Sequence, residues 1–75
     1  MSKFAVILVH STSHAIHAER VLRRAGFTVK LIPTPRDLSS DCGSALRITV
    51  EDQSAIELLL AESRVAIDRI EPLDR

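Results

Sequence analysis

The fold is decided by residues 4–14, which read Phe4-Ala-Val-Ile-Leu-Val-His-Ser-Thr-Ser-His14. The first six form an uninterrupted apolar run rich in β-branched residues, which predicts a central strand covered on both faces. Ser11 to His14 follow, and hydroxyl side chains of this kind cap the N-termini of helices. The stretch therefore predicts a strand that turns directly into a helix.

A helix is expected to follow this turn. Ala15, Ala18 and Leu22 recur at helical spacing and supply an apolar stripe. Gly26 comes just after the last turn, at the position where glycine most often ends a helix. The segment therefore has both the start and the stop that a helix of about three turns needs.

The remaining elements follow from alternation and from turn residues. Further strands are predicted over residues 27–31, 46–50 and 65–70. Residues 33–43 form the longest non-periodic segment, rich in Pro, Ser and Asp, and are expected to be a loop. A second helix is predicted to begin at Asp52 or at Ser54, which can form a capping box with Glu57.

This order of elements predicts one domain over residues 1–75 with an α+β, ferredoxin-like βαββαβ two-layer sandwich. Its antiparallel sheet has the strand order 4-1-3-2, with two helices on one face. Strands 1 and 2 then run in the same direction, and strand 3 pairs beside strand 1. Residues 11–14 and 33–43 should therefore meet at one edge of the sheet.

Composition narrows the range of functions. Ten basic residues balance ten acidic ones, and the chain has no Trp or Tyr, so neither charge nor base stacking favours nucleic-acid binding. Residues 4–9 are too short an apolar run to span a membrane or form a signal peptide. A reducing cytoplasm is therefore the expected location, and there the lone cysteine, which excludes an internal disulfide, stays a free thiol. His14 and His17 lack a recognised metal-ligand spacing with Cys42, and no metal or cofactor is expected.

The shared sheet edge has the composition of an anion site. The first N–H groups of helix 1 lie there, and a helix N-terminus favours the anionic, nucleophilic form of a cysteine. The polar neighbours of Cys42 argue against a role in core filling, although Asp41 would disfavour a thiolate. Gly43 is expected to give the sulfur room and permit a tight turn. The candidate site is Cys42, supported by Ser11, Thr12, His14, Arg36, Ser39, Ser40 and Gly43.

Two longer strings carry a family resemblance. They are His10-Ser-Thr-Ser-His-Ala-Ile-His-Ala-Glu-Arg-Val-Leu22 and Leu31-Ile-Pro-Thr-Pro-Arg-Asp-Leu-Ser-Ser-Asp-Cys-Gly43. The Pro-Thr-Pro-Arg and Ser-Ser-x-Cys-Gly segments are the specific parts. Over nearly its whole length the chain resembles the putative selenium/sulfur carrier protein-like family, a group of small prokaryotic domains. The resemblance implies that Cys42 bears a persulfide or perselenide, in a loop built by Pro35, Arg36, Ser39, Ser40 and Gly43.

Three functions follow as hypotheses. The first is a small cytoplasmic sulfur or selenium carrier, a protein co-substrate more than an enzyme, which exchanges its cargo with donor and acceptor proteins. The single thiol fits a carrier, because a dithiol oxidoreductase needs a resolving cysteine. The second is a small-molecule or anion-binding regulatory or interaction module in which Cys42 is incidental. The third comes from strand 1, which is apolar on both faces and predicts a homodimer through the uncovered sheet face.

Overall fold

A computed structural model describes residues 3–38 and 42–73 of the chain. Four strands form one antiparallel sheet in the order β2-β3-β1-β4. The elements are β1 (Phe4–Leu8), α1 (Thr12–Arg24), β2 (Lys30–Pro33), β3 (Ser44–Thr49), a 3₁₀ turn (Val50–Asp52), α2 (Gln53–Glu62) and β4 (Arg69–Leu73). The fold is the ferredoxin-like α+β fold that the sequence predicts.

The C-terminus of α1 explains where β2 begins. Gly26 has a φ of +89°, and the N–H of Phe27 donates to the carbonyl of Leu22 at 3.0 Å. This is the Schellman arrangement, and it confirms Gly26 as the residue that ends the helix. Phe27 is thereby part of the helix end, so the strand predicted over 27–31 starts three residues later, at Lys30.

The C-terminus of α2 shifts β4 in the same way. The N–H of Val65 donates to the carbonyl of Leu60 at 3.0 Å, and Arg64 has a φ of 54°. This repeats the Schellman arrangement with an arginine where glycine is usual. Residues 65–68 therefore follow the helix end as irregular chain. The strand predicted over 65–70 is instead Arg69–Leu73.

The N-terminus of α2 also differs from its prediction. Asp52 is the N-cap residue, as one of the two alternatives had it, but its side chain makes no capping bond to the helix. Its carboxylate instead accepts a hydrogen bond from the hydroxyl of Thr49 at 2.9 Å. Ser54 is already the second residue of the helix, so the predicted capping box with Glu57 is wrong.

The main core lies between the helices and one face of the sheet. Alternate residues of the two central strands point to this side, as a strand period of two requires. Fully or almost fully buried are Ala5, Ile7, Leu46 and Ile48 of the sheet, and Ala15, Ala18, Leu22, Ile56 and Leu60 of the helices. Each large aliphatic side chain contributes about 1.5–3 kcal/mol through its burial. Both helices pack on one face, as predicted.

The opposite face of the sheet is also closed to solvent at its centre. Val6, Leu8 and Ala45 are 0% exposed, and Ile32 and Leu38 pack against them. The premise that this face is uncovered is therefore wrong. Leu38, which follows β2 in the connection to β3, helps to cover the face from within the chain. The homodimer stays a prediction, but an uncovered sheet face no longer supports it.

The two helices are short by the standard of membrane spans. α1 has 13 residues and α2 has 10, whereas a helix that crosses a bilayer needs about 20. Within the described residues, neither helix is long and apolar enough to cross a membrane.

Candidate functional site around Cys42

Cys42 lies two residues before β3, and its side chain points into the main core. Only 5% of the residue is exposed, and it packs with the helix-facing core residues. The interpretation that its polar neighbours argue against core filling is wrong. Cys42, Ser44 and Leu46 have the same parity, so the inward alternation of β3 extends back to the thiol. This period of two was the sequence signal that could have predicted the burial.

The sulfur of Cys42 lies beside the start of α1. The backbone N–H of Ser44 donates to Sγ at 3.4 Å, and Sγ lies 3.7 Å from Oγ1 of Thr12, the first residue of the helix. Either atom of the Thr12 pair can be the donor. The meeting of the β1–α1 turn with the β2–β3 connection, predicted from topology, is therefore confirmed. The first N–H groups of a helix have no partners within the helix, so the sulfur lies beside unsatisfied backbone donors.

Ser11 and His14 form the helix cap. Ser11 is the N-cap residue, and its Oγ accepts the backbone N–H of His14 at 3.4 Å. The same Oγ lies 3.1 Å from Nδ1 of His14, a half-buried ring. Ser11 and His14 thus hold the N-terminus of α1 in place, whereas Thr12 is the helix residue that contacts Sγ.

Thr34 holds the backbone on which Cys42 sits. Its hydroxyl donates to the carbonyl of Cys42 at 2.8 Å, and its N–H donates to the carbonyl of Gly43 at 3.0 Å. Thr34 continues the pairing of β2 with β3 by one step, because Pro33 pairs with Ser44. Neither Thr34 nor Ser44 was predicted as a site residue. Their roles depend on strand register, which the sequence pattern fixes only to within a few residues.

The backbone of Gly43 does not have the positive φ that would require glycine. A Cβ built on Gly43 would meet nothing within 4 Å, and among the described glycines only Gly26 has a positive φ. That space does not include its chain neighbours Cys42 and Ser44, so the predicted role of giving the sulfur room stays a prediction. The predicted tight turn at this glycine has no left-handed backbone to require it.

Arg36, Ser39 and Ser40 complete the candidate set. Arg36 is exposed and lines a surface hollow of about 460 Å³ with Ile32 and Leu73. Ile32 packs on the sheet face that points away from the helices, whereas Cys42 packs on the helix side. Thr34, whose hydroxyl donates to the Cys42 carbonyl, lines the same hollow, and the anion role predicted for Arg36 stays a prediction. Ser39 and Ser40 lie outside the described residues.

The site offers one sulfur nucleophile next to polar hydrogen-bonding groups. Among residues 3–38 and 42–73, no three side chains of the His, Cys, Asp and Glu types are grouped so that they could hold a metal ion. Ser44 N–H and the Thr12 hydroxyl can both donate to a charged sulfur. The arrangement can therefore stabilise a thiolate or a sulfur atom bonded to it.

The comparisons with known proteins agree with the sequence strings. Residues 4–72 match the model of a family described as Putative Se/S carrier protein-like. The matched range includes Cys42 and, among the residues that contact it, Thr12, Thr34 and Ser44. No curated protein and no solved structure matches the chain significantly.

Proposed function

Because this chain belongs to the putative Se/S carrier protein-like family, we propose that it is a small cytoplasmic carrier of sulfur or selenium, with Cys42 as the bearing residue. The carrier is a co-substrate of donor and acceptor proteins and has no turnover of its own. The reducing cytoplasm keeps a lone thiol free for this chemistry.

The observation that carries the proposal is the environment of the only sulfur nucleophile in the chain. Cys42 Sγ lies 3.7 Å from the hydroxyl at the start of α1 and accepts an N–H at 3.4 Å. Thr12 can donate to the sulfur once the thiol has lost its proton. Both donors then act on Sγ, where they stabilise the thiolate that attacks the donor persulfide and that is released on transfer.

The transfer is a displacement at sulfur with no net change of oxidation level. The Cys42 thiolate attacks the outer sulfur of a donor persulfide, R–S–SH. A bond forms between Sγ and that sulfur, the donor S–S bond breaks, and the electron pair leaves on the donor thiolate, R–S⁻. The product is Cys42–S–SH. An acceptor nucleophile then attacks the outer sulfur and releases the Cys42 thiolate, and the selenium reaction has the same form.

Burial sets a condition on this chemistry. A side chain that is 5% exposed cannot meet the persulfide of a second protein until the chain around it opens. The two hydrogen bonds from Thr34 to residues 42 and 43 close the backbone at that point. We propose that donor and acceptor proteins react with an open form in which these bonds are broken.

The test uses intact mass. The wild-type chain and the Cys42→Ser variant are incubated with a cysteine desulfurase and L-cysteine. The wild type should gain one sulfur atom, which a thiol reductant removes, and the variant should gain none. Circular dichroism establishes that the variant is folded. With L-selenocysteine and a lyase that releases selenium, a gain of one selenium atom at Cys42 would identify the second cargo.

The second candidate is the anion-binding or interaction module, and the same donors favour it. Backbone N–H groups and hydroxyls at a helix N-terminus can bind a phosphate or carboxylate compound. Two results together would favour this module over the carrier. The wild type would gain no sulfur, and phosphate would raise the melting temperature of both the wild type and Cys42→Ser. The homodimer is tested separately, because sedimentation equilibrium reports the mass of the species directly.

A further inference from the structure

The net charge of zero hides a separation of charge along the chain. Seven of the ten basic residues precede residue 48, and seven of the ten acidic residues follow residue 47. The first part contributes α1 and β2, and the second contributes α2 and the opposite edge strand, β4. By element, α1 and β2 carry four basic residues (Arg20, Arg23, Arg24 and Lys30) and one acidic residue (Glu19), whereas α2 carries two acidic residues and no basic one. Such an arrangement steers a charged partner to one side even when the total charge is zero.

The same two elements, α1 and β2, also carry exposed apolar residues. Ile16 is 45% exposed and lies one helical turn after Thr12, the residue that reaches Sγ. Leu31 is 42% exposed and pairs with the buried Leu46, so it points to the helix side of edge strand β2. Ile16 and Leu31 thus lie on two elements that are in contact, α1 and β2.

Arginines frame these apolar residues. Arg20 lies one turn beyond Ile16 and is exposed. Arg23 donates to the carbonyl of Val29 at 3.2 Å, which places its guanidinium over the chain that leads into β2. Glu19 pairs with Arg23 at 3.4 Å and is the acidic side chain of this helix. We call the surface formed by Ile16, Arg20, Arg23 and Leu31 the α1–β2 face.

The edge of β2 favours docking through side chains over strand addition. The N–H of Thr34 donates to the carbonyl of Gly43. By the alternation of an antiparallel pair, the backbone groups of Ile32 also point to β3, and those of Leu31 and Pro33 point away from the sheet. Pro33 then occupies an outward position, where a partner strand would need a donor that proline lacks. A partner must therefore recognise the apolar and basic side chains of the face.

We propose that the α1–β2 face is the docking surface for an acidic patch on the protein that loads Cys42 with sulfur. This rests on the carrier function proposed above and names the chemistry of its partner. Ile16 and Leu31 supply apolar contact, and Arg20 and Arg23 attract and orient carboxylates. An apolar centre with arginines at its margin is the composition typical of protein–protein interfaces. Nucleic acid fits less well because the face has no aromatic side chain for stacking.

The experiment measures the initial rate of sulfur transfer from a cysteine desulfurase to Cys42. Arg20→Glu should slow the transfer about fivefold, as expected for reversal of a rim charge, and Ile16→Ser about tenfold. Their matched controls on the other side are Arg64→Glu and Leu58→Ser, which should leave the rate within about twofold. Iodoacetamide, a small neutral reagent, should alkylate Cys42 equally fast in all variants.

Salt gives a second readout. Raising NaCl from about 0.05 to about 0.5 M shortens the Debye length about threefold and should slow the wild type more than Arg20→Glu. Sulfur gain at equal rates in all four variants would overturn the docking face and leave the carrier function standing. No sulfur gain in the wild type would overturn both. Self-association or RNA binding that Arg20→Glu abolishes, with transfer unchanged, would assign the face to a second copy or to nucleic acid instead.

Discussion

The hydrogen bond from Thr34 to Cys42 predicts how the thiol becomes reachable. Thr34→Val keeps the shape of the side chain but removes the hydroxyl that donates to the Cys42 carbonyl at 2.8 Å. A typical intramolecular hydrogen bond contributes about 1 kcal/mol net. If that bond exists only in the closed form, its loss raises the open population about fivefold. The alkylation rate of native Cys42 should rise by the same factor.

The assay is alkylation by iodoacetamide under native conditions, followed by mass. Thr49→Val is the matched control, because it removes a hydroxyl that donates to Asp52 at 2.9 Å, at the start of α2 and away from Cys42. Both variants should lower the free energy of unfolding by about 1 kcal/mol, measured by urea denaturation. Only Thr34→Val should accelerate alkylation.

Two results would contradict this reasoning. An unchanged alkylation rate in Thr34→Val, with its stability lowered, would mean that the Thr34 bonds do not control access to the sulfur. Equal acceleration in Thr34→Val and Thr49→Val would mean that Cys42 reacts only from the globally unfolded chain, because both variants populate that state alike. Either result would refute the proposal that Cys42 reacts from a locally opened form.

The remaining predictions concern stability and use urea denaturation. Gly26→Ala should lower the free energy of unfolding by about 1–2 kcal/mol, because its φ is +89°. Gly43→Ala should change it by less than about 0.5 kcal/mol, because the new Cβ meets nothing outside its chain neighbours. Equal losses in the two variants would refute this argument from backbone conformation. Leu60→Ala should cost about 2–5 kcal/mol because the side chain is 2% exposed, and Leu58→Ala, 62% exposed, should fall within about 0.5 kcal/mol. A large loss in Leu58→Ala would contradict the burial pattern.

Much of the fold could be predicted because its determinants are local. The apolar run of β1, the helix stripe that ends at Gly26 and the order of elements each depend on neighbours within a few residues. The ferredoxin-like sheet order then follows from connection rules. The errors lie at boundaries. Phe27 and Val65 look like strand residues by alternation, but their N–H groups close helices and delay the strands.

For the candidate site, the sequence by itself identified the single cysteine and the sheet edge where it meets the start of α1. The period of two in β3 already indicated that Cys42 points inward, whereas only the tertiary structure decided that Thr34 holds its backbone and that Arg36 lines a hollow with Ile32 and Leu73. It also decided that Leu38 helps to cover the face expected to be open. The physical reason is that burial and hydrogen-bond partners depend on residues distant along the chain. Local composition, including the polar neighbours of Cys42, contains no record of what packs from that distance.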